Sequence, residues 1–335
     1  MSTPTFTVVI PTFNRVESLR RCLDALAEQT LPASDFEVIV VDDGSTDGTY
    51  AALSWLAFPF QLVLISIENS GPSVARNIGM ARGVGSYIAL TEDDVIPRSD
   101  WLECARKCLE DGAVDVVEGR TVYEGSGETV RRFDAGGLPS FIPCNLFVKR
   151  EVLTAVGGYD PAFFDAATKL YFREDADFGF KLMDRGCRVF LADDVVVSHP
   201  RQFRTAAACI RHARRYFFDP LLARKHPERF RALIEVKRIA GLRLRRVQHL
   251  IAVVHFFALL AGVVFIVLNN TAMCMVCVAI LLVCAWLFWF KYRGRDALRM
   301  YDLRLWGTFL FLPLMYVWSV VRGSIIFRSW RALIW

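Results

Sequence analysis

Residues 87–97 read YIALTEDDVIP, an apolar, strand-like run that stops on three adjacent carboxylates, Glu92, Asp93 and Asp94. Three negative charges in a row repel one another unless something positive joins them, and taken alone they read most simply as a solvated loop. Their position after a buried-type strand changes that reading. In open α/β sheets ligands bind just beyond the carboxyl ends of the strands. Hard oxygen ligands at such a place suit Mg²⁺ or Mn²⁺ held jointly with substrate phosphates.

Upstream of this corner, Phe6–Ile10 is a β-branched run closed by Pro11, and Arg15–Gln29 carries Val16, Leu19, Leu23 and Leu26 at helical spacing. The pattern repeats: strand Phe36–Val41, turn DDGSTDGT, helix near Tyr50–Ala57, strand Gln61–Ser66, turn ENSGP, helix Ser73–Arg82 and strand Ser86–Leu90. Alternating strands and helices with short turns predict an α/β domain with a parallel sheet and helices on both faces. None of these turns reads GxGxxG or GxxxxGK[ST], so a dinucleotide fold or a P-loop has no support. Downstream the alternation becomes irregular: helix Trp101–Leu109, strands Val114–Glu118 and Asn145–Lys149, and helix Asp175–Arg185. This half is expected to bind what the first half does not.

The net charge of +5 over 335 residues conceals two opposed halves. Residues 1–200 carry 18 Lys and Arg against 30 Asp and Glu, whereas residues 201–335 carry 22 against 5, giving −12 and +17. An acidic globular half followed by a basic, apolar half suggests a domain held on an anionic membrane surface, where each cationic residue gains roughly 1 kcal/mol. The long apolar runs that accompany this basicity favour lipid over nucleic acid. Residues 250–268 and 272–290 are each 19 residues without a charge, about 28 Å as helix and enough to span hydrocarbon. Asn269, Asn270 and Thr271 separate them, so a tight transmembrane hairpin is expected, with Arg-rich flanks placing both ends in the cytoplasm.

A third apolar stretch, residues 305–321, is interrupted by Pro313 and followed by Arg322, Arg328 and Arg331. We read it as re-entrant or interfacial, with a third span as the alternative. The expected organisation is a cytoplasmic domain over 1–210, basic interfacial helices over 211–249 and a membrane region over 250–335. No secretory leader is read ahead of the first strand, so the acidic half is expected to stay in the cytoplasm of a multi-pass cell-membrane protein. The nine cysteines are scattered and odd in number. They read as reduced packing residues, including Cys104 with Cys108 and the Cys274–Cys277 pair, neither of which has a second pair at zinc spacing.

Six turns together carry a resemblance: PTFNR at 11–15, VDDGSTDGT at 41–49, GPSVARNIG at 71–79, TEDDVIP at 91–97, VGGYD at 156–160 and REDADFGFKL at 173–182. In order and spacing they resemble the family 2 glycosyltransferases with the GT-A fold, over about residues 5–220. The resemblance implies a hexosyltransferase that uses a nucleoside diphosphate sugar, a UDP-sugar by expectation, in polysaccharide or glycolipid synthesis at the cell envelope. It implies that Asp42 and Asp43 hold base and ribose, although DDGS also stands as a plain turn. Pro11, Thr12 and Arg15 lie at the neighbouring strand end, where backbone and guanidinium meet ribose or phosphate, or where Arg15 is simply a solvated first-turn residue. Arg76 and Asn77 open a helix at the same edge; forked donors suit a diphosphate, and the alternative for Arg76 is a salt bridge to the acidic corner.

In the family the corner reads DxD, its last Asp being the firmest metal ligand. Here Glu92 replaces the first Asp, Asp93 neighbours ribose or metal, and Asp94 is the implied ligand. His199, after the run Val195–Val197, matches a position where related enzymes place a histidine near metal or diphosphate. Glu174 and Asp175 match the acidic pair whose Asp is the catalytic base of inverting members; as a helix N-terminus, EDAD is also favourable with the macrodipole. The family places Gly before this pair and this chain has Arg173. The QxxRW signature of processive synthases is matched only by His212, Ala213, Arg214, Arg215 and Tyr216, leaving Arg215 as a diphosphate contact. Transfer of a single sugar to a lipid-linked acceptor, a polyprenyl phosphate or a lipid-linked saccharide, is therefore the leading reading. A processive polysaccharide synthase and a non-catalytic nucleotide-sugar-binding membrane scaffold are the rivals.

Overall fold

A computed structural model describes residues 4–110, 112–124, 140–200, 205–234, 236–239, 242–292 and 303–334. The chain divides into two compact units, Met1–Arg201 and Gln202–Trp335.

The first unit opens with β1 (Phe6–Thr12), α1 (Val16–Ala27), β2 (Phe36–Asp42), α2 (Thr49–Leu53), β3 (Gln61–Ser66), α3 (Pro72–Arg82) and β4 (Tyr87–Leu90). It continues with β5 (Ile96–Pro97), α4 (Trp101–Leu109), β6 (Val116–Tyr123), β7 (Leu146–Lys149) and α5 (Arg150–Val156). It closes with β8 (Phe164–Asp165), β9 (Leu170–Tyr171), α6 (Glu174–Asp184) and β10 (Val189–His199). Among the described residues one 8-stranded sheet runs in the order β3-β2-β1-β4-β7-β6-β10-β5. β2 is buried along its whole length and β1 almost so, which is why both read as continuous apolar runs rather than alternating ones.

The sheet is mainly parallel: β1 pairs with β2 on one side and β4 on the other, β2 with β3, and β6 with β10, all parallel. Antiparallel β7 is inserted between β4 and β6, and antiparallel β5 closes the edge beside β10. From β1 the chain turns first toward β2 and β3 and then back to β4, so the strand order reverses between β1 and β4. The crevice beyond that switch point is where ligands bind in such sheets. Alternate β1 residues serve two cores. Val8 and Ile10 pack with Leu19, Leu23 and Leu26 of α1, and Val9 packs with Met80, Ile88 and Phe178 on the other face.

The second unit contains α7 (Ala206–Arg215), α8 (Asp219–Lys225), α9 (Pro227–Leu233), β11 (Val236–Ile239), β12 (Leu242–Arg245), α10 (Val247–Val267), α11 (Thr271–Tyr292), α12 (Leu303–Ile326) and α13 (Arg331–Ile334). The stretch expected to be interfacial helix ends instead in an antiparallel hairpin, β11 against β12. VKRI and LRLR alternate or cluster apolar and basic residues without helical period, which suits paired strands. α12 runs unbroken through Pro313, where the sequence suggested an interruption; the amide missing from proline is tolerated when neighbouring helices support the turn, and α12 packs on α10 and α11. Among the described residues three helices are long and apolar enough to cross a membrane, over Val247–Val267, Thr271–Trp289 and Gly307–Ile326. Near their base, buried Arg246 reaches Asp219 at 2.8 Å and the Tyr316 hydroxyl at 3.1 Å. All nine cysteines carry free thiols.

Candidate active site

The carboxyl ends of β1, β2, β4 and β10 deliver Thr12, Asp42, the 91–94 corner and His199 to one edge of the sheet. The turns after β1 and β2 are tied together: the Asn14 amide N–H donates to Ser45 Oγ at 2.8 Å, and the Thr46 N–H donates to Asn14 Oδ1 at 2.7 Å. Asp42 Oδ1 accepts from the Ser45 N–H at 2.9 Å. Asp43 is buried and organises the next turn, accepting from the Ser70 N–H at 2.6 Å through Oδ1 and from the Gly71 N–H at 2.9 Å through Oδ2. Burial pushes the Asp43 carboxyl above the usual range against the pull of those two amides. Gly71 takes φ +90°, and a Cβ there would lie 2.5 Å from the Phe164 ring, so the turn admits no larger residue without a shift.

At the corner, Thr12 Oγ1 donates to Asp93 Oδ2 at 2.8 Å, and one Arg15 nitrogen bridges Asp93 Oδ1 at 3.0 Å and Asp94 Oδ2 at 2.7 Å. Burial raises the Asp93 carboxyl, with Arg15 opposing. Ligand atoms of Glu92, Asp94 and His199 all lie within 4.8 Å of one another. His199 Nδ1 lies 2.8 Å from the Pro200 carbonyl oxygen, which can only accept. Nδ1 therefore carries the proton, and in the neutral ring Nε2 presents its lone pair 3.6 Å from Asp94 Oδ1. Among the described residues that Oδ1 is buried and accepts no hydrogen bond. Two carboxylates and an oriented imidazole, with an oxygen left over, fit a divalent cation such as Mg²⁺ or Mn²⁺.

Opposite the corner, Glu174 and Asp175 occupy the first turn of α6, where the helix dipole favours acidic groups. Desolvation raises the Asp175 carboxyl above the ordinary carboxylate range, with Arg173 and Arg76 opposing. Arg173 holds the left-handed conformation at φ +74°, one that glycine adopts without cost, and its guanidinium carbon lies 4.2 Å over the Phe172 ring. Between corner and acid pair stands Arg76, with Nη2 3.1 Å from Glu92 Oε1 and Nη1 3.9 Å from Glu174 Oε1. Desolvation raises the Glu92 carboxyl, and Arg76 opposes it.

The structure thus brings Thr12, Arg15, Asp42, Asp43, Arg76, Glu92, Asp93, Asp94, Glu174, Asp175 and His199 to one end of the first unit. Pro11 lies within β1, in register with Val41. Asn77 clamps the backbone of Tyr159, donating to its carbonyl at 2.7 Å and accepting from its N–H at 2.9 Å. Arg215 ends α7 in the second unit. Sequence reasoning assigned no role to Tyr159, whose ring stacks on Phe178 at 4.4 Å and underlies the Arg76 guanidinium. Its only signal was its place in the VGGYD turn.

Comparison with known proteins gives the arrangement its class. The family described as Glycosyl transferase family 2 matches residues 7–178. The chain is 30% identical over 211 residues to Glycosyltransferase AglE of Haloferax volcanii, covering 59% of this chain and 67% of that one. It spans 49% or less of the next curated relatives it matches. Its fold is similar to that of the Pyrobaculum calidifontis mannosyltransferase PcManGT, solved with GDP-Man and Mn²⁺ (TM-score 0.52, 21% identity, 100% of this chain and 88% of that one). It is also similar to that of Staphylococcus aureus TarS 1–349, solved with UDP-GlcNAc (TM-score 0.54, 15% identity, 97% and 92%). With a GT-A-like sheet, the ordered turns at its switch point and the family match over half its length, the chain belongs to glycosyl transferase family 2 and is a glycosyltransferase.

Proposed function

We propose that this glycosyltransferase is metal-dependent and inverting, and that it moves one sugar from a nucleoside diphosphate sugar to a lipid-linked acceptor at the cytoplasmic face of a cell membrane. One observation carries the reading: the nucleoside turn around Asp42 and Asp43, the Glu92–Asp94–His199 corner and the Glu174–Asp175 pair converge on one sheet edge. Support for the membrane comes from the three apolar helices of the second unit and its cationic excess.

Asp42 and Asp43, with the backbone of the 69–71 turn, orient base and ribose, a uridine by expectation. Asp93, held by Thr12, faces the ribose, and Arg15 meets the diphosphate. Glu92, Asp94 and His199 would hold Mg²⁺ or Mn²⁺, which when bound neutralises the leaving diphosphate. Asp175 accepts the proton of an attacking hydroxyl as the new bond to the anomeric carbon forms and the bond to the diphosphate oxygen breaks. A polyprenyl phosphate is already ionised and needs no such base.

The test is mass spectrometry of membrane lipids after membranes containing the protein are incubated with Mn²⁺ and a panel of nucleotide sugars. A single-sugar mass gain on one lipid class is expected. A ladder of products would replace this reading with a processive synthase, and transfer confined to soluble acceptors would remove the lipid.

A further inference from the structure

Arg76 lies in α3 with its side chain only 4% exposed, its guanidinium paired with one carboxylate, near a second, and set over an aromatic ring. Nη2 is held by Glu92 Oε1 at 3.1 Å, Nη1 approaches Glu174 Oε1 at 3.9 Å, and the plane lies over the Tyr159 ring with Cζ 5.3 Å from its centroid. The ring is fixed in turn. It stacks on Phe178 of α6, and its backbone is clamped from both sides by Asn77, the residue next to Arg76. One helix therefore supplies both the cation and the support for the aromatic surface beneath it.

Building on the site reading above, we infer that Arg76 is a positioning residue that sets the distance between the cation corner and the acid pair. It acts through Glu92 on one side and Glu174 on the other, without binding the donor itself. Arg76 lies between two like-charged carboxylates, 3.1 Å from Glu92 and 3.9 Å from Glu174, and a planar fork can join two such partners where a point charge cannot. Next, the longer arm of Glu92, where a DxD turn has Asp, reaches Arg76 and still offers a ligand atom within the 4.8 Å cluster with Asp94 and His199. Finally, Nη2 is already held by Glu92 at 3.1 Å and the Arg76 side chain is only 4% exposed, which disfavours direct contact with a diphosphate. Among the described residues Nε and Nη1 of Arg76 have no hydrogen-bond partner; buried donors of this kind are normally completed by internal water.

The experiment compares wild type, Arg76→Gln and Arg76→Lys in the full-length protein. It measures Mn²⁺ binding without nucleotide by electron paramagnetic resonance, UDP and GDP binding in EDTA by calorimetry, and kcat and KM for transfer. For Arg76→Gln the dissociation constant for Mn²⁺ is expected to rise, and kcat to fall, by about 10–100-fold, as for residues that orient metal ligands. Its metal-free nucleotide affinity should stay within about threefold of wild type, since the positioning role leaves the donor untouched. Arg76→Lys keeps the charge and should recover Mn²⁺ binding but only part of kcat. Should Arg76→Gln fail to fold, Arg76→Lys alone decides, by a lowered kcat at unchanged metal-free nucleotide affinity. Loss of metal-free nucleotide affinity with Mn²⁺ binding intact would overturn the inference and make Arg76 a donor ligand. Unchanged Mn²⁺ binding and kcat would overturn it outright. A wild-type protein that binds neither Mn²⁺ nor nucleotide would instead bring down the site reading on which the inference rests.

Discussion

Replacing Asp175 by Asn tests the chemistry most directly, because the change removes the base and little else. The amide keeps an oxygen to accept from the Ala176 N–H, now at 2.7 Å, and keeps the volume at the start of α6. A positioned base contributes about 10²–10⁴-fold, or about 2.7–5.5 kcal/mol of barrier at 1.36 kcal/mol per decade. That loss is expected in kcat/KM with an acceptor that reacts through a sugar hydroxyl. With a polyprenyl phosphate acceptor the loss should stay below about tenfold, because no proton has to be removed from the nucleophile.

The pH dependence separates the two cases further. Desolvation raises the Asp175 carboxyl, so the acid limb of the wild-type profile should lie above the ordinary carboxylate range, with activity lost as pH falls through it. The Asn variant should lack that limb. A carboxyl whose folded value is raised above its unfolded one costs stability once charged. Thermal stability of Asp175→Asn at neutral pH should therefore be no lower than wild type, and lost activity would not reflect unfolding. Equal kcat/KM for wild type and Asp175→Asn on a hydroxyl acceptor would refute the base assignment.

Three further outcomes are expected. Asp94→Asn should abolish the thermal shift that Mn²⁺ gives the wild-type protein and lower transfer by at least about 10-fold; an undiminished shift would exclude Asp94 as a ligand. Gly71→Ala forces a side chain into a φ of +90° and against Phe164, at a cost of about 1–3 kcal/mol. Weaker binding of the nucleoside diphosphate, measured by calorimetry, should accompany it. Arg246→Met removes the guanidinium that lies 2.8 Å from buried Asp219, and breaking a buried ion pair costs about 3–5 kcal/mol; the half-life of activity in detergent at elevated temperature should shorten, and an unchanged half-life would count against it.

Much of the first unit was legible because its strands are buried on both faces. β1, β2 and β4 are apolar at most positions, and the helices between them need one apolar stripe, so the two periods separate. Legibility failed where pairing is non-local or local chemistry overrides period. β5 has two residues and exists only because β10 lies beside it. β10 extends upstream of the Val195–Val197 run across an irregularity between Ala192 and Val196 that puts exposed Asp193 and Asp194 inside a strand. In the second unit, Pro313 suggested a break that packing against neighbouring helices removes.

The chemistry divides in the same way. The acidic triplet at 92–94, the DDGS turn and the EDAD helix start could be read from the chain because each is a local solution to a local problem: charge after a buried strand, a tight turn, a helix dipole. Which oxygen does what is a property of the folded edge. Only there does Asp43 become the acceptor that holds the 70–71 turn, and only there does His199 meet Asp94 with its tautomer set by Pro200. Arg76, read from sequence as a diphosphate contact or a salt bridge, is found between Glu92 and Glu174. Side chains far apart in sequence share a site because the strand order reverses beside β1, and no spacing along a chain encodes that neighbourhood. Residue types therefore determined which chemistry was available, and the sheet's topology decided which groups could take part in it together.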